Sequence, residues 1–315
     1  MMDNPSELIA TNIVVSVICH TYNHENFIRE AIDGILLQKT NFDIEVIIHD
    51  DASTDKTREI IEDYHLKYPS LIKPIYQTEN KFSQKLNISA NFTYPVAKGK
   101  YIALCEGDDY WTDENKLQKQ VDFLKQNTEY VICWTDFINK NGDTFIDTGF
   151  DTLFPEIYPL DFNNIFKTYN TFTLTTLFKK DSININAIFN FKHVKDNTLY
   201  SLSLANGKGA FLNFKSAVYR WHSGGIYSLK SSLFKNYSSY LNLKEVYDKI
   251  EPARTENIKE ICNGLLKNAA FETIKIGKND TINSKIKRKI IITYLLSVSF
   301  KHKIRFIKSY FMFKK

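Results

Sequence analysis

The chain has 315 residues, of which 43% are hydrophobic and 14% aromatic, a composition that supports a sizeable core and excludes a disordered protein. Its net charge of +5 hides an asymmetry, because residues 285–315 contain ten Lys or Arg and no acid, which leaves −5 on residues 1–284. A nucleic-acid-binding protein normally spreads basic charge over a folded face, so this distribution argues against nucleic acid as a partner.

Three further features bear on the cellular compartment. The four cysteines form no Cys-x-x-Cys pair, and three of them lie inside apolar runs, which is typical of buried thiols in a reducing environment. Residues 1–12 lack the apolar core of a signal peptide. The longest apolar stretch, residues 290–300, is too short to span a bilayer. We therefore expect a cytoplasmic protein, with peripheral contact on the inner face of the cytoplasmic membrane as a further expectation.

The first half of the chain alternates strands and helices. Short β-branched runs predict buried parallel strands, and apolar residues three or four positions apart predict helices. The predicted strands are residues 13–19, 45–49, 71–76 and 101–105. The predicted helices are residues 25–37, 54–68, 82–97 with a break near Pro95, and 112–127 with Thr112 as N-cap. This alternation indicates an α/β fold, with a doubly wound, mostly parallel sheet and helices on both faces.

The second half begins with strands and ends in helices. An Asn141-Gly142 turn predicts a β-hairpin. The strands predicted here are residues 130–137, 144–146, 171–178 and 210–219, with a helix at 199–205. After Ser232 the pattern is helical, with a linker near residues 277–280. We therefore predict two domains, a sheet-containing domain of residues 1–230 and a helical C-terminal region of residues 231–315.

Two of the predicted strands end in acidic residues. Asp50-Asp51 follows the run at 45–49, and Glu106-Gly107-Asp108-Asp109 follows the run at 101–105. Ligands of open α/β sheets bind beyond the carboxyl ends of such strands. Two acidic clusters at one edge repel each other unless a cation lies between them. A divalent metal that carries a diphosphate fits this arrangement, which indicates an enzyme that uses a nucleotide.

The acidic residues also have structural interpretations. Asp51 is placed to accept hydrogen bonds from a base or a ribose, whereas Ser53 to Asp55 open the following helix and suit its N-terminus. In the second cluster Gly107 permits a tight turn, so that the flanking carboxylates can face one Mg²⁺ or Mn²⁺ ion. A solvated acidic turn before a helix is the alternative, and the residues alone leave both open.

The segment His20-Thr21-Tyr22-Asn23 follows the first strand and lies at the same predicted edge. It contains no Gly-x-Gly-x-x-Gly, so the fingerprint of a dinucleotide-binding site is absent. The chain also has no Gly-Lys-Ser/Thr sequence, which excludes a P-loop. A metal ion rather than a glycine-rich cradle is therefore expected to hold the phosphates.

Together these motifs resemble those of the family 2 inverting glycosyltransferases. The resemblance consists of a strand before Thr-Tyr-Asn, a strand before Asp-Asp-Ala-Ser-Thr-Asp, and Lys-Gly-Lys-Tyr-Ile-Ala-Leu before Glu-Gly-Asp-Asp-Tyr-Trp. It covers about residues 13–225 and implies a nucleotide-diphospho-sugar transferase domain of the GT-A fold. Ala52 departs from the family pattern, in which Gly is usual at this position.

The resemblance also implies roles for individual residues. Thr21, Asn23 and Asp51 would line the nucleoside pocket, with Asp51 facing the base. Asp108 and Asp109 match the metal and ribose end of the family's Asp-x-Asp motif. They would bind a divalent cofactor, Mn²⁺ or Mg²⁺, and Asp108 would also contact the nucleotide sugar. Glu106 stands where Asp is commoner and would support this site.

A second stretch resembles the family's acceptor side. Lys195-Asp196-Asn197-Thr198-Leu199 and Tyr219-Arg220-Trp221-His222 are similar to the family's Gly-Asp-x-x-Leu and Tyr-Arg-x-His. The resemblance makes Asp196 the catalytic base, although Lys195 replaces Gly, and an N-cap is the structural alternative for Asp196. His222 either reaches the diphosphate or metal or packs against its loop. Ala217 stands where a processive enzyme would carry Gln.

The basic tail alternates Lys or Arg with Ile, Leu, Phe and Tyr. This pattern is typical of a helix that lies on an anionic membrane surface, and equally of a basic-faced helix packed on the protein. The sequence leaves these alternatives open.

From the resemblance we predict an inverting, metal-dependent glycosyltransferase. Its partners would be a nucleotide-sugar donor, most often UDP-linked in the family, and a bacterial cell-surface glycan or lipid-linked acceptor. The enzymatic alternative is a sugar-1-phosphate nucleotidyltransferase, which would need a glycine-rich loop after the first strand. The non-enzymatic alternative is an inactive, membrane-docked scaffold of the same fold, against which the set of acidic residues argues.

Overall fold

The computed structural model describes residues 13–225, 230–275 and 284–313. The predicted linker at 277–280 and the N-terminal stretch 1–12 lie outside the described residues. The chain divides into two compact units. The first unit comprises residues 1–159, 170–186 and 206–220. The second unit comprises residues 160–169, 187–205 and 221–315. A domain boundary between residues 230 and 231 stays a prediction.

A mixed sheet organises the first unit. In chain order the strands are β1 (Ile13–Thr21), β2 (Asp43–Asp50), β3 (Ile72–Tyr76), β4 (Tyr101–Glu106), β5 (Tyr110–Trp111), β6 (Tyr130–Asn141), β7 (Thr144–Asp147), β8 (Ile157–Leu160), β9 (Leu177–Lys179) and β10 (Lys208–Trp221). Their order across the sheet is β3-β2-β1-β4-β9-β6-β10-β5, with β7 on β6 and β8 on β10. Strands β1 to β4 pair in parallel, whereas β9 pairs antiparallel to β4 and β6, and β5 antiparallel to β10.

The parallel strands form because their side chains are apolar on both faces. In β1 the segment Val15–Cys19 is wholly buried, and β2 and β4 have similar buried runs. Burial on both faces is characteristic of parallel strands covered by helices. The expected α/β sheet with helices on both faces is thus confirmed, and the predicted hairpin is formed by β6 and β7.

The described part of the first unit contains the α-helices α1 (Ile28–Leu36), α2 (Thr57–Lys67), α3 (Lys116–Gln126) and α4 (Phe150–Leu153). The prediction of Thr112 as an N-cap is wrong, since α3 begins only at Lys116. The Thr112 amide instead donates to the Ser216 carbonyl oxygen at 2.9 Å, which holds this segment in the sheet.

The predicted helix at residues 82–97 is also wrong. Only a π-turn at Ser89–Thr93 and a 3₁₀ turn at Tyr94–Val96 form there. Pro95 cannot donate a hydrogen bond and blocks a regular helix, and Lys85 has a φ of +65°, outside helical geometry. Residues 171–178 likewise form a 3₁₀ turn at Thr173–Thr175 before β9 rather than one strand.

All four cysteines are reduced and buried, as their apolar surroundings predicted. Burial raises the pKa of each thiol, to about 12 for Cys133 and Cys262. The native thiols are therefore protonated and unreactive at neutral pH.

The second unit is helical. Its helices are α5 (Asp196–Leu204), α6 (Ser232–Lys249), α7 (Glu256–Lys275), α8 (Ser284–Ser297) and α9 (Phe300–Phe313). The Ser231 hydroxyl accepts the Phe234 amide at 3.3 Å and so caps α6. The predicted helical C-terminal region is confirmed.

Helices α8 and α9, which make up the basic tail, pack on α7 through aromatic side chains. The ring of Phe306 lies 5.3 Å from that of Phe271 and 5.2 Å from that of Tyr294, measured between centroids. Ile290 and Tyr294 of α8 are also buried. One face of the tail is therefore part of the second unit's core. Within the described ranges, no helix has the length and apolarity needed to cross a membrane.

Candidate active site at the carboxyl edge of the parallel strands

The ends of β1, β2 and β4 lie side by side. Thr21 pairs in register with Asp50 across β1 and β2, and His20 pairs with Glu106 across β1 and β4. The segments that follow these strands carry the predicted residues Asn23, Asp51 and Asp108. The parallel pairing therefore brings the three sequence motifs to one edge of the first unit.

Hydrogen bonds between the loops after β1 and β2 hold Asn23 in place. The Asn23 amide donates to the Ser53 hydroxyl at 2.8 Å, and its Oδ1 accepts the Thr54 amide at 2.8 Å. Asn23 has a φ of +55°, a conformation that Asn tolerates better than most residues. Asn23 thus joins the two loops as well as lying at the edge.

Ser53 to Asp55, predicted to open the helix, precede α2, whose N-cap is Lys56 without a side-chain cap hydrogen bond, but Asp55 contacts its first residue. Its Oδ1 accepts both the amide and the hydroxyl of Thr57, at 3.0 and 2.6 Å. Its Oδ2 accepts the Glu25 amide at 3.0 Å, so the carboxylate also ties the loop after β1 to the start of α2. These hydrogen bonds lower the pKa of Asp55 against the effect of burial, which keeps it ionised at the positive end of the helix.

Asp51 is buried at the end of β2. Its amide donates to the Thr21 carbonyl oxygen at 3.0 Å, and its two carboxylate oxygens accept the amides of Lys81 and Phe82 at 2.8 and 3.0 Å. A carboxylate has about four acceptor positions, so capacity remains for a donor group of a ligand. Ala52, where the family usually has Gly, takes a φ of +64°, the left-handed region that glycine favours.

The turn after β4 packs closely against the turn after β1. A Cβ on Gly107 would lie 2.7 Å from Thr21 Oγ1 and 2.8 Å from Thr21 Cβ. The Gly107 amide donates to the His20 carbonyl oxygen at 2.9 Å. Glycine is therefore required here by close approach, and the buried Thr21 side chain supports the acidic turn.

The two acids of this turn have different environments. The Asp108 side chain is 22% exposed, and its Oδ2 lies 3.7 Å from His24 Nε2. Asp109 is only 3% exposed, and its Oδ1 accepts the Arg220 amide at 2.8 Å. Burial, followed by the charge of Asp108, raises the pKa of Asp109 well above its usual value. Of the two carboxyl groups, Asp108 is the one accessible to a ligand.

Arg220 lies at the end of β10 and holds the acidic turn in place. It belongs to a motif noted in the sequence, but no role was predicted for it. Its guanidinium pairs with Glu30 at 2.5 Å and donates to the Asp108 carbonyl oxygen at 2.8 Å. It also lies over the Tyr110 ring, 4.3 Å from its centroid. Buried guanidinium groups with several fixed partners act as rigid connectors. The only signal in the sequence was the Tyr219-Arg220-Trp221-His222 stretch.

His20 lies beneath this edge and has no charge at neutral pH. It is half-buried, and its Nε2 lies 3.3 Å from Thr93 Oγ1. Burial, together with the neighbouring His49, lowers the pKa of His20 to about 3. His20 is therefore a neutral imidazole, and its contact with Thr93 is structural.

The other two predicted residues, Asp196 and His222, belong to the second unit. Asp196 is the first residue of α5 and is exposed, and Lys195 occupies the N-cap position that the alternative gave to Asp196. Lys195 Nζ donates to the Ser238 and Ser239 hydroxyls at 2.9 and 3.0 Å. Burial lowers the pKa of Lys195 to about 8. The His222 carbonyl oxygen accepts the Gly225 amide at 3.2 Å.

The donor set at the edge suits a hard divalent cation that shares its ligands with a substrate. Among the described residues, no three His, Cys, Asp or Glu side chains form a group that could hold a metal by themselves. Mg²⁺ and Mn²⁺, however, usually take only one or two carboxylates and complete their shell with phosphates and water. The accessible Asp108 carboxylate is compatible with such a site.

Residues 16–197 match the family model described as Glycosyl transferase family 2, which covers more than half of the chain. The chain belongs to glycosyl transferase family 2. An uncharacterized protein of Mycobacterium tuberculosis is 48% identical over 122 residues, which cover 38% of this chain and 34% of that relative. The chain thus matches about a third of the length of this relative.

A longer match is the UDP-Glc:alpha-D-GlcNAc-diphosphoundecaprenol beta-1,3-glucosyltransferase WfaP of Escherichia coli. It is 28% identical over 214 residues, which cover 68% of this chain and 79% of WfaP. Among solved structures, residues 1–349 of S. aureus TarS in complex with UDP-GlcNAc have a TM-score of 0.57 and 18% identity, and the match covers 94% of this chain and 79% of that TarS segment. The Pyrobaculum calidifontis mannosyltransferase PcManGT, in complex with GDP-Man and Mn²⁺, has a TM-score of 0.56 and 13% identity, with 95% and 86% coverage. These likenesses show the GT-A type of fold, as the sequence motifs predicted.

Proposed function

We propose that this glycosyltransferase moves a sugar from a nucleotide-diphospho-sugar to a hydroxyl group of a bacterial cell-surface glycan or lipid-linked acceptor, with inversion at the anomeric carbon. The observation that carries the proposal is the meeting of the ends of β1, β2 and β4 within the region that matches the family. This edge combines a buried carboxylate with acceptor capacity, Asp51, and an accessible one, Asp108.

We take the donor to be UDP-linked. WfaP carries UDP-Glc in its name, and TarS was crystallised with UDP-GlcNAc, which supports this choice. Asp51 would accept a hydrogen bond from the base, with Thr21 and Asn23 shaping the nucleoside pocket around it. The fixed contacts of Asp51 with Lys81 and Phe82 favour a pre-organised pocket.

A divalent cation, Mn²⁺ or Mg²⁺, would bind at Asp108 and contribute charge neutralisation of the departing diphosphate. Asp109 stays part of the proposed metal site, but its hydrogen bond to the Arg220 amide favours an orienting role for its carboxyl group. Glu106 and His222 are the supporting residues of this proposal. A structure of the PcManGT complex contains Mn²⁺, which supports metal use in this fold.

Asp196 would act as the general base. The acceptor hydroxyl would transfer its proton to the Asp196 carboxylate while its oxygen forms a bond to the anomeric carbon. At the same time the bond between that carbon and the diphosphate oxygen would break, which releases the nucleoside diphosphate. The exposure of Asp196 at the start of α5 supports this role, because a base for the acceptor has to be accessible.

Thermal-shift screening tests the donor and the metal together. UDP-Glc, UDP-GlcNAc and GDP-Man are compared with and without Mn²⁺, because a ligand that binds the folded state raises its unfolding temperature. A UDP-sugar is expected to give the largest shift, and only with Mn²⁺. Asp51→Asn should lose this shift, whereas Asp143→Asn in the β6–β7 turn is a matched control and should keep it.

Product analysis separates this proposal from its two alternatives. Acceptor-dependent release of UDP supports transfer. Release of pyrophosphate from a nucleoside triphosphate and a sugar 1-phosphate would indicate a nucleotidyltransferase instead. Donor binding without turnover on any glycan acceptor would indicate an inactive scaffold. Either result would overturn the proposed activity.

A further inference from the structure

Helix α9 exposes a stripe of large apolar side chains. Phe300, Ile304, Ile307 and Phe311 are separated by four, three and four residues, so they lie on one side of the helix over three turns. Their exposed fractions are 76%, 40%, 45% and 64%. These four residues are called the α9 stripe below.

The α9 stripe is not the face by which the helix packs in its own unit. That face carries Phe306, which is buried against the rings of Phe271 and Tyr294. The positions of the stripe are offset from Phe306 by about a third of a turn or more around the helix. The helix is thus anchored through one face while a second apolar face stays exposed, and such patches commonly mark interaction sites.

Basic residues border the α9 stripe, and no acid accompanies them. Lys301 and Lys308 project on one side of it, and Lys303 projects on the other, as the 100° rotation per residue requires. Residues 285–315 contain ten Lys or Arg and no Asp or Glu. A partner for this face therefore has to combine an apolar surface with negative charge.

An anionic lipid bilayer meets both requirements. Amphipathic helices with basic flanks lie in the headgroup region and bury their apolar side to the level of the first acyl carbons. A second copy of the chain fits less well, since two such basic faces would repel each other. A nucleic acid would satisfy the lysines and leave the four apolar side chains without a partner.

We infer that α9 is a membrane-docking helix, which lies flat on an anionic leaflet. The α9 stripe enters the boundary between headgroups and acyl chains, and Lys301 and Lys308 lie at the level of the lipid phosphates. Docking of this kind places the protein on the membrane without a spanning helix. The inference depends on the second unit alone and is independent of the proposed transferase activity.

Vesicle co-sedimentation of the full chain tests the docking surface. Vesicles of phosphatidylcholine with phosphatidylglycerol are compared with vesicles of phosphatidylcholine alone. Phe311→Ser should weaken binding about tenfold, as expected for one large apolar side chain withdrawn from lipid. The matched control Leu66→Ser, which removes an exposed leucine from α2, should bind like the parent.

A separate variant tests the electrostatic contribution to vesicle binding. Lys301→Glu combined with Lys308→Glu should weaken binding to the anionic vesicles at least 25-fold, because each basic residue at such a surface changes affinity by roughly fivefold. Circular dichroism confirms that each variant is folded. Phe311→Trp adds a direct reporter, whose emission, measured as the difference from the parent, should shift to shorter wavelength on the anionic vesicles.

Three results would overturn the inference. Parental vesicle binding by Phe311→Ser together with no shift from Phe311→Trp would exclude insertion of the α9 stripe. Loss of vesicle binding only in the variant with Lys301→Glu and Lys308→Glu, together with parental binding to RNA as strong as to anionic vesicles, would indicate a general polyanion site. Dimers of the parent that dissociate on Phe311→Ser would indicate that the stripe is covered by a second copy.

Discussion

The two units of this protein hold their charged side chains in opposite ways. At the strand ends of the first unit, Asp51 and Asp109 are buried and accept backbone amides at fixed distances. In the second unit, Asp196, Lys301 and Lys308 are exposed. Buried acids with amide partners are pre-organised, whereas exposed groups are available to molecules that arrive from solution. In the function proposed above the first unit would bind the donor, and the second unit would supply the base for the acceptor and, through α9, the inferred membrane contact.

Replacement of the proposed base should have the largest effect on transfer. It directly tests whether the first unit binds the donor and the second unit supplies the base. Asp196→Asn should lower the rate of transfer by roughly 10²–10⁴-fold, the usual loss when a positioned base is removed. Donor affinity should be unchanged, because the proposed donor site lies in the first unit. Initial rates and calorimetric titration with the donor measure both quantities.

The control for this variant is Glu260→Gln, which removes an exposed acid from α7. Its transfer rate should equal that of the parent. A near-normal rate for Asp196→Asn would assign the base to another acid between residues 150 and 225. Loss of donor affinity in Asp196→Asn would show that the second unit also contributes to donor binding.

Removal of the Arg220 side chain tests how firmly the first unit holds its acids. Arg220→Met should lower the free energy of unfolding by about 2 kcal/mol, because it removes the charged hydrogen bond to the Asp108 carbonyl oxygen and the pair with Glu30. Urea denaturation measures this change. Arg29→Met is the matched control, since Arg29 forms only an exposed pair with Asp63 and its removal should cost at most about 1 kcal/mol. Equal losses in the two variants would refute the connecting role of Arg220.

The adjacent acids Asp108 and Asp109 give a narrower test within the first unit. Asp108→Asn should weaken Mn²⁺-dependent donor binding at least tenfold, about the contribution of a charge-assisted contact. Asp109→Asn should have a smaller effect, since its oxygen still accepts the Arg220 amide. Calorimetric titrations with donor and Mn²⁺ compare the affinities of the two variants. An equal loss would make both acids metal ligands, as the sequence motif alone implies.

The smallest expected effect is the pH dependence caused by Asp109. Its folded-state pKa is raised by burial, so the folded chain keeps a proton that the unfolded chain releases near pH 3.8. Stability from this group is therefore complete below pH 3.8 and is lost as the pH rises through the folded-state pKa. Asp109→Asn cannot titrate, so its unfolding free energy should fall less than that of the parent as the pH rises above 3.8.

Urea unfolding at a series of pH values measures that slope. Asp143→Asn, in the exposed β6–β7 turn, should keep the slope of the parent. If Asp109→Asn also keeps the parental slope, Asp109 is ionised in the folded protein, and burial does not raise its pKa as inferred here.

The parallel strands and the meeting of their ends were predictable because both follow from local patterns. Buried β-branched runs define β1, β2 and β4, and parallel pairing then brings Asn23, Asp51 and Asp108 to one edge. The failures arise where distant contacts decide the outcome. Thr112 is held by Ser216 and not by a helix, and the turns at residues 89–96 depend on Pro95 and on their surroundings.

The different environments of Asp108 and Asp109 could not be predicted either, because they also depend on contacts between residues that are distant in the sequence. Both residues follow one strand and match one motif, so nothing local separates them. Their environments diverge because Arg220, more than 100 positions later, donates its amide to Asp109. A single sequence carries no measure of such a contact, and the role of Arg220 itself was missed.

The buried cysteines make the two units separately observable during unfolding. Cys19, Cys105 and Cys133 lie in the sheet of the first unit, and Cys262 lies in α7 of the second. A thiol reagent can modify them only after the surrounding structure has opened, since each thiol is enclosed. The order in which these four sites become labelled would therefore record which unit opens first, with no probe added to the chain.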